Sequence, residues 1–301
     1  MRILSVGEIL WDVLPGGEHL GGAPFNFAAH AARLGHEVAF LSAVGDDERG
    51  RRAVERARAL GLATDHIGVT GAAPTGSVDV SVDASGQPSY VIHRPAAYDF
   101  AELDEGQLRG LDAWRPDWLC FGTLHQMSEA ARVLRRRLME AIPRARVLYD
   151  VNLRRESYAA PLVNELLGLA TAVKLNRDEM AELGRLLGLP GGEPEEFCRV
   201  NAARFGWEAV ALTDGEQGCS LLVGDEFVQR PGYRVVVADT VGSGDAFAAA
   251  FLHGLGAGWP TARIADFSNR VGALVASRQG AIPDWSLAEV EELGGRGLTF
   301  A

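Results

Sequence analysis

Short β-branched runs alternate with longer segments of helical period along this chain. That alternation restricts the fold to βα units on a mostly parallel sheet covered on both faces. Strands are expected at 3–6, 38–43, 118–121, 147–150, 172–175, 209–213 and 234–238, and helices at 25–34, 48–60, 128–142 and 178–187. Gly35 and Gly61 stand where two of these helices should stop. One segment departs from the rhythm. Ser77 to Asp83 alternates polar and apolar residues, residues 84–88 supply a turn, and Tyr90-Val91-Ile92 returns, so an antiparallel hairpin with one apolar face is expected. Two strands cannot stand alone in water, so the valine face must be covered by the main body, a ligand, further strands or another subunit. The hairpin over 75–95, joined by strands near 11–20, reads as a lid, although an inert surface hairpin has the same pattern.

Composition narrows the function. The 301 residues carry a net charge of −11, with 47% hydrophobic and 23% charged residues, which is globular and too acidic for a polyphosphate partner. The basic runs at Arg49-Gly50-Arg51-Arg52 and Arg135-Arg136-Arg137 sit in helical patterns beside acidic residues and read as solvated faces. Three distant cysteines, Cys120, Cys198 and Cys219, favour a reducing cytoplasm over a disulfide framework. The opening apolar run is broken by Glu8 and Asp12, so it reads as a strand and not as an export signal or membrane span. Residues 190–194 read as a loop.

The strongest local signal is Asp239-Thr240-Val241-Gly242-Ser243-Gly244-Asp245, after an apolar strand and before Ala246-Phe247-Ala248-Ala249-Ala250-Phe251-Leu252. A glycine turn opening a helix aims backbone N–H groups at one spot, and Gly242 and Gly244 admit a ligand with no Cβ in the way. Asp245 at that terminus is a poor neighbour for a resting phosphate but suits a hydroxyl about to attack one. The reading is phosphoryl transfer with Asp245 as base, in competition with a glycine turn merely capped by an aspartate.

These residues resemble the ribokinase-like, pfkB-type sugar kinases, and the resemblance covers nearly the whole chain. The family's N-terminal glycine motif is similar to Gly21-Gly22-Ala23-Pro24-Phe25-Asn26, and its next turn to Val44-Gly45-Asp46-Asp47-Glu48-Arg49-Gly50. The resemblance implies a three-layer α/β/α sandwich with a mostly parallel central sheet and a small β-sheet lid, as one kinase domain over 1–301. It further implies Asp12, Gly22 and Asn26 as sugar ligands; Arg94 and Tyr98, just after the hairpin, are placed to reach the sugar from the lid. Asp150-Val151-Asn152-Leu153-Arg154 resembles the family's Asp-Pro-Asn-x-Arg segment with valine in place of proline, implying that Asn152 and Arg154 approach the phosphates and substrate.

Asn176 and Glu179 resemble the Asn-x-x-Glu pair that organises Mg2+ and phosphate, and the same spacing satisfies a helix capping box. Lys174, the only lysine beside 28 arginines, joins the expected nucleotide side. Thr213, Gly215 and Gly218 are similar to the family's nucleotide turn, Asn269 to the asparagine near adenine, and Asp239, Val241 and Gly280 to an optional monovalent-cation loop for K+. There is no G-x-x-x-x-G-K-[ST] string, no G-x-S-x-G elbow and no H-E-x-x-H pair, which excludes Walker-type, serine-hydrolase and zincin readings.

The resemblance is strongest to fructokinase-type members and implies an ATP- and Mg2+-dependent kinase acting on a primary hydroxyl of a small sugar, fructose first. The other readings are a family kinase for 2-keto-3-deoxygluconate, ribose or a nucleoside, and a non-catalytic sugar or nucleotide sensor. A homodimer through the lid is a further expectation, with no nucleic-acid or membrane partner.

Overall fold

The computed structural model describes residues 1–14, 16–82, 88–154, 157–190 and 192–295, and forms two compact units, Met1–Ala145 and Arg146–Ala301. In the first unit the strands are β1 (Arg2–Val6), β2 (Leu10–Leu14), β3 (Gly17–Gly21), β4 (Glu37–Gly45), β5 (Ile67–Thr70), β6 (Gly76–Val82), β7 (Pro88–Ile92) and β8 (Trp118–Gly122). Four of them form a parallel sheet in the order β5-β4-β1-β8, with Ile3 facing both Val38 and Trp118. Ile3 to Val6, Val38 to Gly45 and the whole of β8 are buried, as strands covered on both faces must be. The two buried serines of this sheet keep their hydroxyls satisfied: Ser5 Oγ donates to the Pro24 carbonyl at 2.8 Å and Ser42 Oγ to the Gly7 carbonyl at 2.6 Å.

The expected hairpin is β6–β7, and its turn at 83–87 lies outside the described residues. It is covered in two ways. β2 pairs with β6 in parallel and with β3 in antiparallel fashion, giving a small sheet in the order β3-β2-β6-β7, and Leu10, Val78 and Ile92 pack on Ala96 and Tyr98.

The second unit holds β9 (Arg146–Asp150), β10 (Ala172–Asn176) and β11 (Ala209–Thr213) in parallel, then β12 (Cys219–Val223) and β13 (Glu226–Arg230) in antiparallel pairing. The β12–β13 hairpin turns on Gly224-Asp225, with Gly224 at φ 56°. The strand expected at 234–238 is not formed. Its only described backbone hydrogen bond is from Ala238 N to the Ala276 carbonyl at 2.9 Å, and Val236 is 90% exposed. Valine favours an extended backbone, but a strand also needs a neighbour, and among the described residues none pairs with this run.

Two smaller expectations are corrected. The segment read as a loop at 190–194 ends by starting a helix, Pro194–Phe205, with proline in its first turn. Arg135 is only 2% exposed, whereas Arg136 and Arg137 pair with Glu129 and Glu105. Consecutive helical residues lie about 100° apart, so a run of three cannot share one solvated face. All three cysteines are free and buried, with burial pushing the Cys198 and Cys219 thiols up to about 12. Among the described residues no helix is long and apolar enough to cross a membrane.

His125 is wholly buried, with Nε2 3.0 Å from the Tyr98 carbonyl. Burial pulls its pKa down to about 4 from an ordinary 6.5. Above pH 6.5 the imidazole is neutral folded or unfolded; as pH falls towards 4 only the unfolded chain takes up the proton, so stability drops by about 3 kcal/mol across that window. Urea unfolding at pH 7 and pH 4.5 should show this loss, and His125→Gln should flatten it by about one proton's worth of slope.

Candidate active site

The entry to helix Ala23–Arg33 uses glycine for a steric reason. Gly22, at φ 113°, caps the helix, and a side chain there would collide with the Glu8 carbonyl. Asn26 N donates to the Gly22 carbonyl at 2.8 Å, and Asn26 itself is buried. Its carboxamide converges with the half-buried Asp12 of β2: a Cβ on Gly21 would lie 3.1 Å from Asp12 Oδ2 and 3.7 Å from Asn26 Oδ1. A carboxylate and a carboxamide thus border one bare stretch of backbone, a donor and acceptor set suited to vicinal hydroxyls.

Arg94 and Tyr98 come together in the same unit, the guanidinium 5.7 Å from the ring centroid. Arg94 is held by Asp99 at two nitrogens and donates to the Leu124 carbonyl at 2.8 Å. Tyr98 is fully buried; burial, and then the charge of Glu8, hold its phenol well above its ordinary range, so it stays protonated. Asp99, His125 and Glu8 complete this buried polar cluster, which sequence reasoning missed because its members are spread over more than a hundred positions.

In the second unit the glycine turn starts helix Ser243–Gly256. Gly242 caps it at φ 79°, where a side chain would collide with the Ala281 carbonyl. Ser243 Oγ and Ser243 N both donate to the Thr240 carbonyl, at 2.7 and 3.3 Å, and Ala246 N donates to the Gly242 carbonyl at 2.9 Å. Gly244 and Asp245 lie in the first turn of this helix, where backbone N–H groups face what stands before the helix. A Cβ on Gly244 would lie 3.1 Å from Lys174 Nζ, so the ammonium of the chain's single lysine stands against the glycine turn.

Lys174 is buried and bonds Asp150 at 3.1 and 3.3 Å, the two being register partners on β10 and β9. Burial pushes the Asp150 carboxyl up to about 7; Lys174 opposes that shift, while the charges of Asp245 and Glu179 add to it. For Lys174 burial works against the charge, but Asp150, Glu179 and Asp245 outweigh it and raise its pKa. One cation among three carboxylates stays charged, and it holds the Asp150 carboxyl below where burial alone would put it.

The other expected residues take structural partners. Asn176 caps helix Arg177–Leu187, accepting from Glu179 N at 2.9 Å, while Glu179 accepts from Asn176 N and from Leu153 N, both at 2.8 Å. The capping box is thus formed. Asn152 sits at φ 43° beside Leu153, and Arg154 is exposed. Asp239 accepts from Val241 N at 3.0 Å and Gly280 N at 3.1 Å, which joins the three residues of the expected cation loop. Gly218 packs on the backbone of 230–232, and Asn269 donates to the Arg230 and Pro231 carbonyls at 3.3 and 3.0 Å, so these two meet at one segment. Thr213 Oγ1 lies 3.4 Å from the Leu175 carbonyl, and Gly215 turns at φ 54°. Among the described residues no three His, Cys, Asp or Glu side chains gather to hold a metal.

A sequence profile described as pfkB family carbohydrate kinase matches residues 15–287. A fructokinase of Klebsiella pneumoniae is 30% identical over 85% of this chain and 85% of its own. In fold the chain is similar to a fructokinase with bound ATP from Xylella fastidiosa, at TM-score 0.83, 24% identity and 98% coverage of each chain. It is also similar to an E. coli chain assigned as ribokinase II in complex with ATP and Mg2+, at TM-score 0.83, 23% identity, and coverage of 98% of this chain and 99% of that one.

The buried charge pair makes a direct stability prediction. Lys174→Met leaves Asp150 in a low-dielectric site without its cation and should destabilise the chain by about 3–5 kcal/mol in denaturant unfolding. Removing both charges in Lys174→Met with Asp150→Asn should recover most of that loss.

Proposed function

The chain belongs to the pfkB family of carbohydrate kinases, phosphotransferases with an alcohol group as acceptor and a ribokinase-like α/β fold, and we propose that it phosphorylates a primary hydroxyl of a small sugar from ATP, with fructose the leading acceptor. The observation that carries this reading is the glycine turn at Gly242-Ser243-Gly244 at the head of helix Ser243–Gly256, with the Lys174 ammonium against Gly244 and Asp245 as the third helical residue. That combination binds an anion and supplies a proton acceptor beside it.

In the proposed reaction Asp12, Gly22 and Asn26 bind sugar hydroxyls, and Arg94 with Tyr98 supports that side. The acceptor oxygen attacks the γ-phosphorus, the bond to the bridging β–γ oxygen breaks, and ADP leaves. Asp245 orients the hydroxyl and takes its proton late in the step. The Gly242-Ser243-Gly244 amides and Lys174 stabilise charge on the transferring oxygens, where positioned donors act most strongly. Asn152, Arg154 and Asn176 serve the phosphates; Thr213, Gly215, Gly218 and Asn269 shape the nucleotide side, the last two through the 230–232 backbone they fix.

A divalent cation fits this donor set only loosely, since each Glu179 oxygen already accepts a backbone N–H. Glu179 would hold Mg2+ through water, and the ion would supply charge neutralisation at the phosphates when bound. The Asp239, Val241 and Gly280 loop is the proposed monovalent-cation site, with K+ as the ion. A reducing cytoplasm and a homodimer through the small sheet remain part of the proposal.

A coupled ADP-release assay with fructose, 2-keto-3-deoxygluconate, ribose and a nucleoside tests the acceptor, and fructose should give the highest kcat/KM. Asp245→Asn should lower kcat by about a hundredfold or more while thermal shifts with a non-hydrolysable ATP analogue persist. Near-normal turnover in that variant would remove Asp245 from its role.

A further inference from the structure

The turn Val44-Gly45-Asp46-Asp47-Glu48-Arg49-Gly50 is a motif to which the proposed reaction assigns no task. In the structure it heads helix Glu48–Ala59 and grips the small sheet at two points. The first centres on the buried Thr75. Asp47 accepts from Gly50 N at 2.8 Å, Thr75 N at 2.8 Å and Thr75 Oγ1 at 2.6 Å, and Thr75 Oγ1 in turn accepts from Gly45 N at 2.9 Å. Thr75, 2% exposed, is the residue before β6, and a Cβ on Gly45 or Gly50 would press into this knot. It fixes the root of the small sheet.

The second point is half-exposed and grips the outer hairpin β2–β3. Glu18 accepts from Arg49 at 3.1 and 2.5 Å and from Arg52 at 3.3 Å. Trp11 Nε1 donates to the Arg49 carbonyl at 3.1 Å, and the Arg52 guanidinium lies 4.3 Å over the Trp11 ring. Trp11 precedes Asp12 on β2, and Glu18 faces Val13, the residue after it, across the ladder. The gripped residues therefore flank Asp12 in sequence and in register.

We infer that Glu18, Arg49 and Arg52 are positioning residues for the acceptor: with Trp11 they clamp β2–β3 to the head of helix Glu48–Ala59 and set where the Asp12 carboxylate stands over Gly21. The inference rests on the reading of Asp12 as a sugar ligand. The two grips divide the work by strength. The Asp47–Thr75 knot, with its four hydrogen bonds, closes on the buried Thr75, so it belongs to the fold. Half-exposed ion pairs and a cation–π contact each contribute little, which makes the outer grip an adjustable one that responds to salt.

Two variants test it, Glu18→Gln and Arg52→Met, each read by amide hydrogen exchange without substrate and by steady-state kinetics. Exchange over 10–14 and 17–21 should quicken about threefold or more, with 76–82 unchanged. The acceptor KM should rise about fivefold, with kcat and the ATP KM within about twofold and Tm within a few degrees. Raising NaCl from about 0.05 to about 0.5 M should raise the acceptor KM of the parent chain and leave Glu18→Gln nearly unmoved. Unchanged exchange in both variants overturns the clamp; faster exchange with an unchanged acceptor KM overturns its role in positioning. If the parent chain phosphorylates no acceptor, the kinase reading is what fails, and the exchange arm still decides the clamp.

Discussion

Two helices of this molecule begin where a side chain cannot fit. Gly22 lies against the Glu8 carbonyl and Gly242 against the Ala281 carbonyl, each with positive φ, so in both units the helix head is pressed onto backbone from a different part of the chain. The contact fixes the direction in which each helix leaves its turn. Asn26 and Asp245, four and three residues further on, inherit that direction, and neither could hold its place if a Cβ pushed the turn away. Glycine is here a matter of distance between main chains as well as of dihedral freedom.

Much of the fold was legible because parallel strands buried on both faces are apolar along their whole length. The seven expected strands include six that form, and the hairpin over 75–95 was evident from strict alternation. The failure at 234–238 has the same root as the successes: residue type reports a preference for extended backbone and cannot report whether another strand lies alongside. The β12–β13 hairpin carried a signal in Gly224-Asp225, a two-residue turn between apolar runs. Arg135 shows the converse, since a charged run on a helix divides itself between faces.

At the candidate site, legibility follows sequence separation. The Asn176–Glu179 box and the Asp239–Val241 turn are local, and their spacing announces them. The ion pair of Lys174 with Asp150 joins positions 24 apart and arises only from the register of β10 on β9. Nor does spacing reveal that Asn269 and Gly218 meet on one backbone segment. Several side chains with proposed roles thus hold main-chain groups first. Glu179 and Asp239 each tie two amides, so any ion at either place meets carboxylates whose direction is already set.

The burial of the three thiols carries a consequence for handling the protein. With Cys120, Cys198 and Cys219 all enclosed and the last two strongly protonated, the native chain offers oxidants and maleimides no thiolate to attack. Labelling proceeds only through molecules that have opened, so its rate serves as a clock for opening, with Cys120 reporting on one unit and Cys198 and Cys219 on the other.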